Sequence, residues 1–146
     1  MDNSPAWDGA LQRVLPLQNP SYQRRDTLVV DLSYRPHQSE YDRYMALVEL
    51  FRGYEYAQQK LYEASPFRVL DVGTNAILQQ ANQDLLALVH EFGSVQEVRE
   101  LEERIKLTHS VFAALWDEEL GLYLSHDEIS ETPIRVPTSS GFLPIF

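Results

Sequence analysis

Carboxylates are the side chains of this sequence whose number and type point to chemistry. There are 22 Asp and Glu residues among 146, and there is no cysteine to act as a nucleophile. No serine lies in a Gly-x-Ser-x-Gly elbow, which removes the commonest serine nucleophile motif. A pair of carboxylates can cleave a glycosidic bond by general acid–base catalysis. Composition alone does not select which of the 22 would do so.

The sequence contains no motif that is typical of a metal site or of a phosphate-bearing cofactor. The four histidines are scattered along the chain and form neither a His-x-x-x-His nor a Glu-x-x-His pattern. No glycine-rich phosphate loop is present. We therefore expect no metal ion and no cofactor.

The acidic balance of the chain excludes two classes of partner. Its net charge of −10 repels nucleic acid and anionic membrane surfaces. The sequence has no apolar run of about 18 residues and no basic N-terminal region followed by an apolar core, so we expect neither a membrane span nor a signal peptide. A cysteine-free chain also suits a cytoplasmic setting.

The elements that must position these carboxylates are mainly helical. Four prolines interrupt the first 38 residues, which are predicted to be irregular. Apolar residues at helical spacing then predict three long helices. The expected ranges are 40–63, 74–92 and 95–116. The second range is apolar over most of its circumference and the third along one stripe, a pairing typical of inner and outer helices.

The last part of the chain changes character. Leu122-Tyr123-Leu124 and Ile134-Arg135-Val136 are short extended runs, and we predict that they pair as a small β-hairpin. The final residues, Gly141 to Phe146, are mostly apolar, and we interpret them as a truncated tail. The predicted fold class is all-α with a small β-hairpin near the C-terminus.

A family resemblance selects one carboxylate. The segment Met1-Asp2-Asn3-Ser4-Pro5-Ala6-Trp7-Asp8 resembles the general-acid segment of the six-hairpin glycosidases, which include the trehalases and glycoside hydrolase family 63. There the pattern is Glu-Ser-Gly-x-Asp-x-Ser-x-Arg-Trp, so Asp2, Ser4 and Trp7 match. Ala6 stands where the family usually has arginine.

The bacterial mannosylglycerate and glucosylglycerate hydrolases are the branch that the remaining motifs resemble. The matching segments, in order, are 22–26, 35–36, 40–44, 75–78, 81–86, 115–123 and 141–144. The resemblance implies a partial (α/α)6 toroid. It makes residues 1–146 a single incomplete catalytic-domain segment, with an irregular active-site part at 1–38, helical hairpins at 39–120, and a hairpin and truncated tail at 121–146.

The same resemblance implies the site residues, the reaction and the ligand, which would be a small glycoside or an oligosaccharide. Asp2 would be the general acid of an inverting hydrolase that cleaves an α-glycosidic bond, and the general base would be a glutamate outside this chain. Arg35 and Tyr41 would hold the carboxylate of a glycerate aglycone, and Trp7 would line the site. The isolated chain is then expected to be inactive, and its partner is expected to be the remainder of the toroid or a second copy.

Each of these residues also has a structural interpretation. Asp2 could be a plain terminal carboxylate, and Trp7 a packing anchor. Arg35 could pair with Asp31 or cap a helix, and Tyr41 could pack on the first helix. The alternative to an enzyme segment is a non-catalytic helical-hairpin module that binds a sugar or a protein. Clustering of the four residues in one concave site would favour the enzyme.

Overall fold

The computed structural model describes residues 4–145, apart from the side chain of Leu32. Its elements are mainly helical, and short strands flank and follow the two longest helices. The predicted all-α class with small strands near the C-terminus is therefore confirmed. The chain divides into two compact units, Met1–Arg68 and Val69–Phe146.

The first unit combines short helices with a long irregular segment. A 3₁₀ turn at Pro5–Trp7 leads into the short helix α1, Asp8–Leu11. The irregular stretch that follows contains 3₁₀ turns at Asp26–Leu28 and Leu32–Tyr34. Helices α2, Gln38–Gly53, and α3, Gln58–Ala64, come next. The core joins α1 to α2 through Leu11, Val14 and Leu47.

The predicted helix at 40–63 is wrong as a single element. Helix α2 begins earlier, at Gln38, and ends at Gly53. Glu55 and Tyr56 then adopt left-handed conformations, with φ of 51° and 58°. The N–H of Glu55 bonds the carbonyl of Arg52, and the N–H of Tyr56 bonds that of Phe51, both at 3.0 Å. These two bonds form a Schellman motif. Glutamate occupies the left-handed position that usually holds glycine, so no residue at this position signalled that the helix ends here.

The second unit is built on two long helices whose ranges agree with the prediction. They are α4, Val72–Phe92, and α5, Val95–Leu115. Asp71 caps α4 by accepting a hydrogen bond from the N–H of Thr74 at 2.7 Å. The predicted capping box of α5 is confirmed, because the N–H of Ser94 donates to the Glu97 carboxylate at 2.8 Å and the N–H of Glu97 to the Ser94 hydroxyl at 3.3 Å.

Short strands precede and follow this helical pair in the chain, and their pairing differs in part from the predicted one. They are β1, Val69–Leu70; β2, Trp116–Asp117; β3, Leu122–Tyr123; β4, His126–Asp127; and β5, Thr132–Pro133. A hairpin is present within the predicted span, because β4 pairs with β5 and the N–H of Ile134 bonds the carbonyl of Ser125 at 2.8 Å. The strands themselves differ from the predicted runs at 122–124 and 134–136. Instead β3 pairs with β2, while β4 pairs with both β1 and β5, all antiparallel.

The core of the second unit lies where α4 starts and α5 ends. Val72, Ala76, Phe112 and Leu115 are buried there. A final 3₁₀ segment, Ser139–Ile145, packs against α4 and β3. Within residues 4–145 no helix combines the length and the hydropathy needed to cross a bilayer.

Candidate functional site

Arg24 lies at the centre of the most connected polar cluster in the first unit. Its Nε and Nη2 atoms donate to the two carboxylate oxygens of Asp26, at 3.1 and 2.7 Å. Its Nη1 donates to the carbonyl of Pro36 at 2.9 Å. Only 8% of the Arg24 side chain is exposed. These bonds hold the pKa of Asp26 below its ordinary value.

Tyr41, in the first turn of α2, lies directly against this cluster. The Arg24 Cζ atom is 4.4 Å from the centre of the Tyr41 ring, within the range of a cation–π contact. The ring of Tyr22 packs against Tyr41 with centroids 5.5 Å apart, and that of Tyr44 at 6.5 Å. The Tyr41 ring is therefore fixed by its neighbours.

Arg35 is exposed in the loop that precedes α2. Among residues 4–145 it forms no hydrogen bond or ion pair, and in particular Asp31 bonds Ser33 instead. Its positive charge makes the smallest of the contributions that lower the pKa of Asp26, behind the hydrogen bonds from Arg24. The Asp31 pairing considered from the sequence is not found in the described part of the chain.

Trp7 is half-buried at the end of the first 3₁₀ turn. Its ring meets that of Phe67 edge-on, with centroids 6.4 Å apart. A small polar cavity of about 220 Å³ lies between α1 and the start of α2. Its lining consists of Asp8, Leu11, Gln12, Ser39, Glu40 and Arg43. It therefore borders the residues next to both Trp7 and Tyr41.

The structure thus places one of the four sequence-predicted residues, Tyr41, in this cluster, and a second, Arg35, directly precedes Pro36, whose carbonyl belongs to it. Arg24 bonds the carbonyl next to Arg35 and stacks on Tyr41. Trp7 belongs to the same unit, where its ring packs on Phe67. Asp2 lies outside the described residues.

The residues that build this cluster carried no individual prediction from the sequence. Tyr22, Arg24 and Asp26 all lie in the segment 22–26, which resembles the family. The Arg-x-Asp spacing at 24 and 26 was the available signal. It is weak, because side chains two residues apart meet only when the backbone turns, as it does at Asp26–Leu28.

A larger groove lies within the second unit. It has a volume of about 760 Å³ and runs between α4, α5, β3 and the final 3₁₀ segment. Gln79 contributes to its lining and is 7% exposed, and neither polar atom of its amide has a hydrogen-bond partner within the described ranges. Among the same residues, no three His, Asp or Glu side chains gather as a metal site would require.

Comparison with known proteins identifies relatives over the whole chain. A profile of the mannosylglycerate hydrolase MGH1-like glycoside hydrolase domain matches residues 1–146. Mannosylglycerate hydrolase of Thermus thermophilus is 50% identical over 100% of this chain and 35% of its own length. Mannosylglycerate hydrolase MGH1 of Selaginella moellendorffii is 44% identical over 100% of the chain and 30% of its own length.

A crystal structure shares the fold as well as the sequence. The family 63 mannosylglycerate hydrolase of T. thermophilus, in complex with Tris and D-glycerate, is 48% identical with a TM-score of 0.92. The alignment covers 99% of this chain and 35% of that protein. The chain therefore spans about a third of the length of these relatives. Their names agree with the family that the sequence motifs resemble.

Proposed function

Because the chain belongs to the mannosylglycerate hydrolase MGH1-like glycoside hydrolase domain family, we propose that it is a segment of an inverting glycoside hydrolase. The bond cleaved is the α-glycosidic bond of mannosylglycerate, glucosylglycerate or a related small glycoside. Residues 1–146 form one incomplete part of the catalytic domain in this proposal. The cytoplasmic location expected from the composition stays a prediction.

The arrangement of Arg35 and Tyr41 is the observation that carries this proposal. Tyr41 lies in the cluster around Arg24, and Arg35 directly precedes Pro36, whose carbonyl Arg24 binds. Neither Arg35 nor Tyr41 donates its polar groups to another residue within 4–145. A guanidinium binds a carboxylate through two parallel hydrogen bonds, and a phenol adds a directed third. Glycerate is a small carboxylate, and D-glycerate is bound in the T. thermophilus structure. The pair suits the aglycone of a glycerate glycoside.

The reaction in this proposal needs two carboxylates on opposite faces of the sugar. Asp2, protonated, gives its proton to the leaving glycosidic oxygen. A glutamate outside this chain activates water, at a carboxylate separation of about 6.5–9.5 Å in inverting enzymes. An acid that is protonated near neutral pH requires a raised pKa and hence burial. We assign Trp7 to the wall of the sugar site.

The exposed apolar side of α4 supports the proposed partners. Ile77, Leu78, Leu85, Leu88 and Phe92 are between 46% and 82% exposed. Helical spacing places Leu78, Leu85, Leu88 and Phe92 on the side of α4 away from Val72 and Ala76, which pack against α5. Ile77 also lines the groove between α4 and α5. A continuous exposed apolar face is typical of a surface that another element covers. We propose that the remainder of a toroid covers it or, in the isolated chain, a second copy.

The alternative is a non-catalytic helical module that binds a sugar or a protein. It would use the same Arg35–Tyr41 cluster but would not require Asp2. The two proposals therefore differ in the effect of an Asp2→Asn substitution, which keeps the shape of the side chain and removes its acid.

A chimera tests the proposal directly. This chain replaces the matching third of T. thermophilus mannosylglycerate hydrolase, and hydrolysis of mannosylglycerate and of an aryl mannoside is measured. Asp2→Asn is expected to abolish both reactions. Arg35→Ala is expected to lower kcat/KM for the glycerate substrate by about ten- to a hundredfold, since a bidentate carboxylate contact contributes about 1.5–3 kcal/mol.

The aryl substrate serves as the internal control, because it lacks the carboxylate. Equal losses on both substrates would make Arg35 structural and would refute the glycerate assignment. Full activity of the Asp2→Asn chimera would refute the acid assignment and favour the binding module. Should the chimera fail to fold, binding of D-glycerate to the 146-residue chain, followed by NMR, tests the same Arg35 contact.

A further inference from the structure

Arg24 connects the two residues that the proposed function assigns to the glycerate carboxylate. Its Nη1 bond to the carbonyl of Pro36 fixes the residue that directly follows Arg35, at 2.9 Å. Its guanidinium face covers the ring of Tyr41 at 4.4 Å. One side chain thus contacts the backbone next to one residue and the ring of the other.

Arg24 is itself poorly suited to bind a carboxylate ligand. The two N–H groups that form the bidentate fork already bind both oxygens of Asp26. The side chain is 8% exposed, whereas Arg35 is exposed. A ligand carboxylate would have to displace Asp26 from a pre-formed, charge-assisted pair. The role that its contacts allow is therefore to hold other groups in place.

Asp26 completes the arrangement by setting the orientation of Arg24. A planar guanidinium that is bonded along its Nε–Nη2 edge points its remaining Nη1 in one direction, here toward Pro36. Its flat face is then presented to Tyr41. The ring of Tyr22 packs against the same tyrosine ring, 5.5 Å away. The geometry of Tyr41 therefore depends on the guanidinium plane as well as on its charge.

We propose that Arg24, oriented by Asp26, is a positioning residue that holds Tyr41 and the Arg35 loop in the geometry required to bind a glycerate carboxylate. This inference rests on the proposed function. Arg24 touches neither the substrate nor the reacting atoms in this proposal, and it acts through Tyr41 and Arg35. Affinity for D-glycerate should therefore depend on the planar fork of Arg24, which lysine lacks.

The experiment compares four forms of the 146-residue chain by NMR titration with D-glycerate. They are the wild type, Arg24→Lys, Arg35→Ala and the control Arg25→Lys, which changes an exposed neighbouring arginine. Lysine keeps the charge but loses the bidentate pair and the stacked plane. We expect Arg24→Lys to weaken glycerate binding by about tenfold, the cost of one misplaced charge-assisted bond. Arg25→Lys should bind as the wild type does.

The ring resonances of Tyr41 provide a second readout that does not require ligand. Arg24→Lys should shift them in the free chain, and Asp26→Asn should reproduce the same shift. A combined Arg24→Lys/Asp26→Asn variant should add little, because the two residues act as one unit. Amide shifts of α2 beyond its first two turns report whether the variants remain folded.

The outcomes separate this inference from the proposed function. If Arg35→Ala weakens glycerate binding while Arg24→Lys does not, the proposed function stands and the positioning role is overturned. If Arg35→Ala binds glycerate as the wild type does, in the 146-residue chain or, where that chain binds none, in the chimera, the glycerate assignment fails and the positioning role fails with it. Unchanged Tyr41 resonances in Arg24→Lys overturn the positioning role whatever the binding result.

Discussion

The hydroxyl of Tyr22 donates a hydrogen bond to the carboxylate of Asp42 in α2. The amide of Gln38 donates to both of these residues, at 2.9 Å each. Burial, and then the bond to Asp42, raise the pKa of Tyr22 to about 12. Ionised Tyr22 would lie against the negative charge of Asp42, so the folded state favours the protonated phenol. Stability and tyrosine ionisation are therefore linked.

The first prediction concerns stability at alkaline pH. The pKa of Tyr22 rises from 10.0 in the unfolded reference to about 12 on folding, so its contribution is fully present below pH 10. Between pH 10 and 12 the unfolded state loses the proton first, and this contribution is lost as pH rises through the folded pKa. The wild type should lose more unfolding free energy across this window than Tyr22→Phe, as measured by urea denaturation.

Tyr34→Phe is the matched control, because Tyr34 is 77% exposed. Its pH dependence should follow that of the wild type. Identical alkaline slopes for the wild type and Tyr22→Phe would show that Tyr22 ionises alike in both states, which would contradict the Asp42 contact.

The second prediction compares two glycines. A Cβ atom on Gly141 would lie 2.6 Å from the carbonyl oxygen of Tyr123, whereas one on Gly53 would meet nothing within 4 Å. Gly141→Ala should therefore destabilise the chain by about 1–3 kcal/mol, as overpacking does. Gly53→Ala, at the last residue of α2, should be neutral or stabilise it by up to about 1 kcal/mol. Urea denaturation measures both, and a stable Gly141→Ala variant would mean that the final 3₁₀ segment does not pack on β3.

The long helices of the second unit were predictable because their signals are local. The apolar spacing of α4 and the Ser94–Glu97 capping box of α5 each lie within a few residues, and the observed ends fall close to the predicted ones. The stop at Gly53 was missed because Glu55 occupies a left-handed position that usually holds glycine. A glutamate in the sequence does not indicate that its backbone will adopt a left-handed conformation.

One strand pairing and the site depended on contacts that are distant in sequence. The strand β4 pairs with β1, so that His126 lies opposite Leu70. No hairpin rule predicts that partner, because hairpin rules concern neighbouring segments. The family resemblance proposed Tyr41 as a site residue, whereas the stacking of Arg24 upon it required the turn at Asp26–Leu28 to be known.

The third prediction concerns the unpaired amide in the groove of the second unit. Gln79 is buried without a hydrogen-bond partner among residues 4–145 for either amide atom, and such groups cost about 1–3 kcal/mol. Gln79→Met keeps the length of the side chain and removes its polar atoms, so it should raise the unfolding free energy by a similar amount. Gln83→Met, an exposed position lining the same groove, should change it little. A loss of stability in Gln79→Met would mean that the amide has a partner in solution.

The fourth prediction is that the isolated chain self-associates through the exposed apolar side of α4. Leu85 and Leu88 are 46% and 58% exposed on this face, and water-exposed apolar area favours association by about 25 cal/mol per Å² buried. Sedimentation velocity should show concentration-dependent dimers or larger species. The double substitution Leu85→Gln/Leu88→Gln should shift the chain toward monomer without changing its net charge.

Exposed apolar residues of α5 provide the matched control for this surface. Val95 and Leu107 are 71% and 67% exposed, so Val95→Gln/Leu107→Gln removes a comparable apolar area from the other long helix. This control should leave association unchanged, because the prediction assigns the contact to α4 and not to exposed apolar area in general. A wild-type chain that stays monomeric at high concentration, or equal effects of the two double substitutions, would show that this side of α4 is not the contact surface.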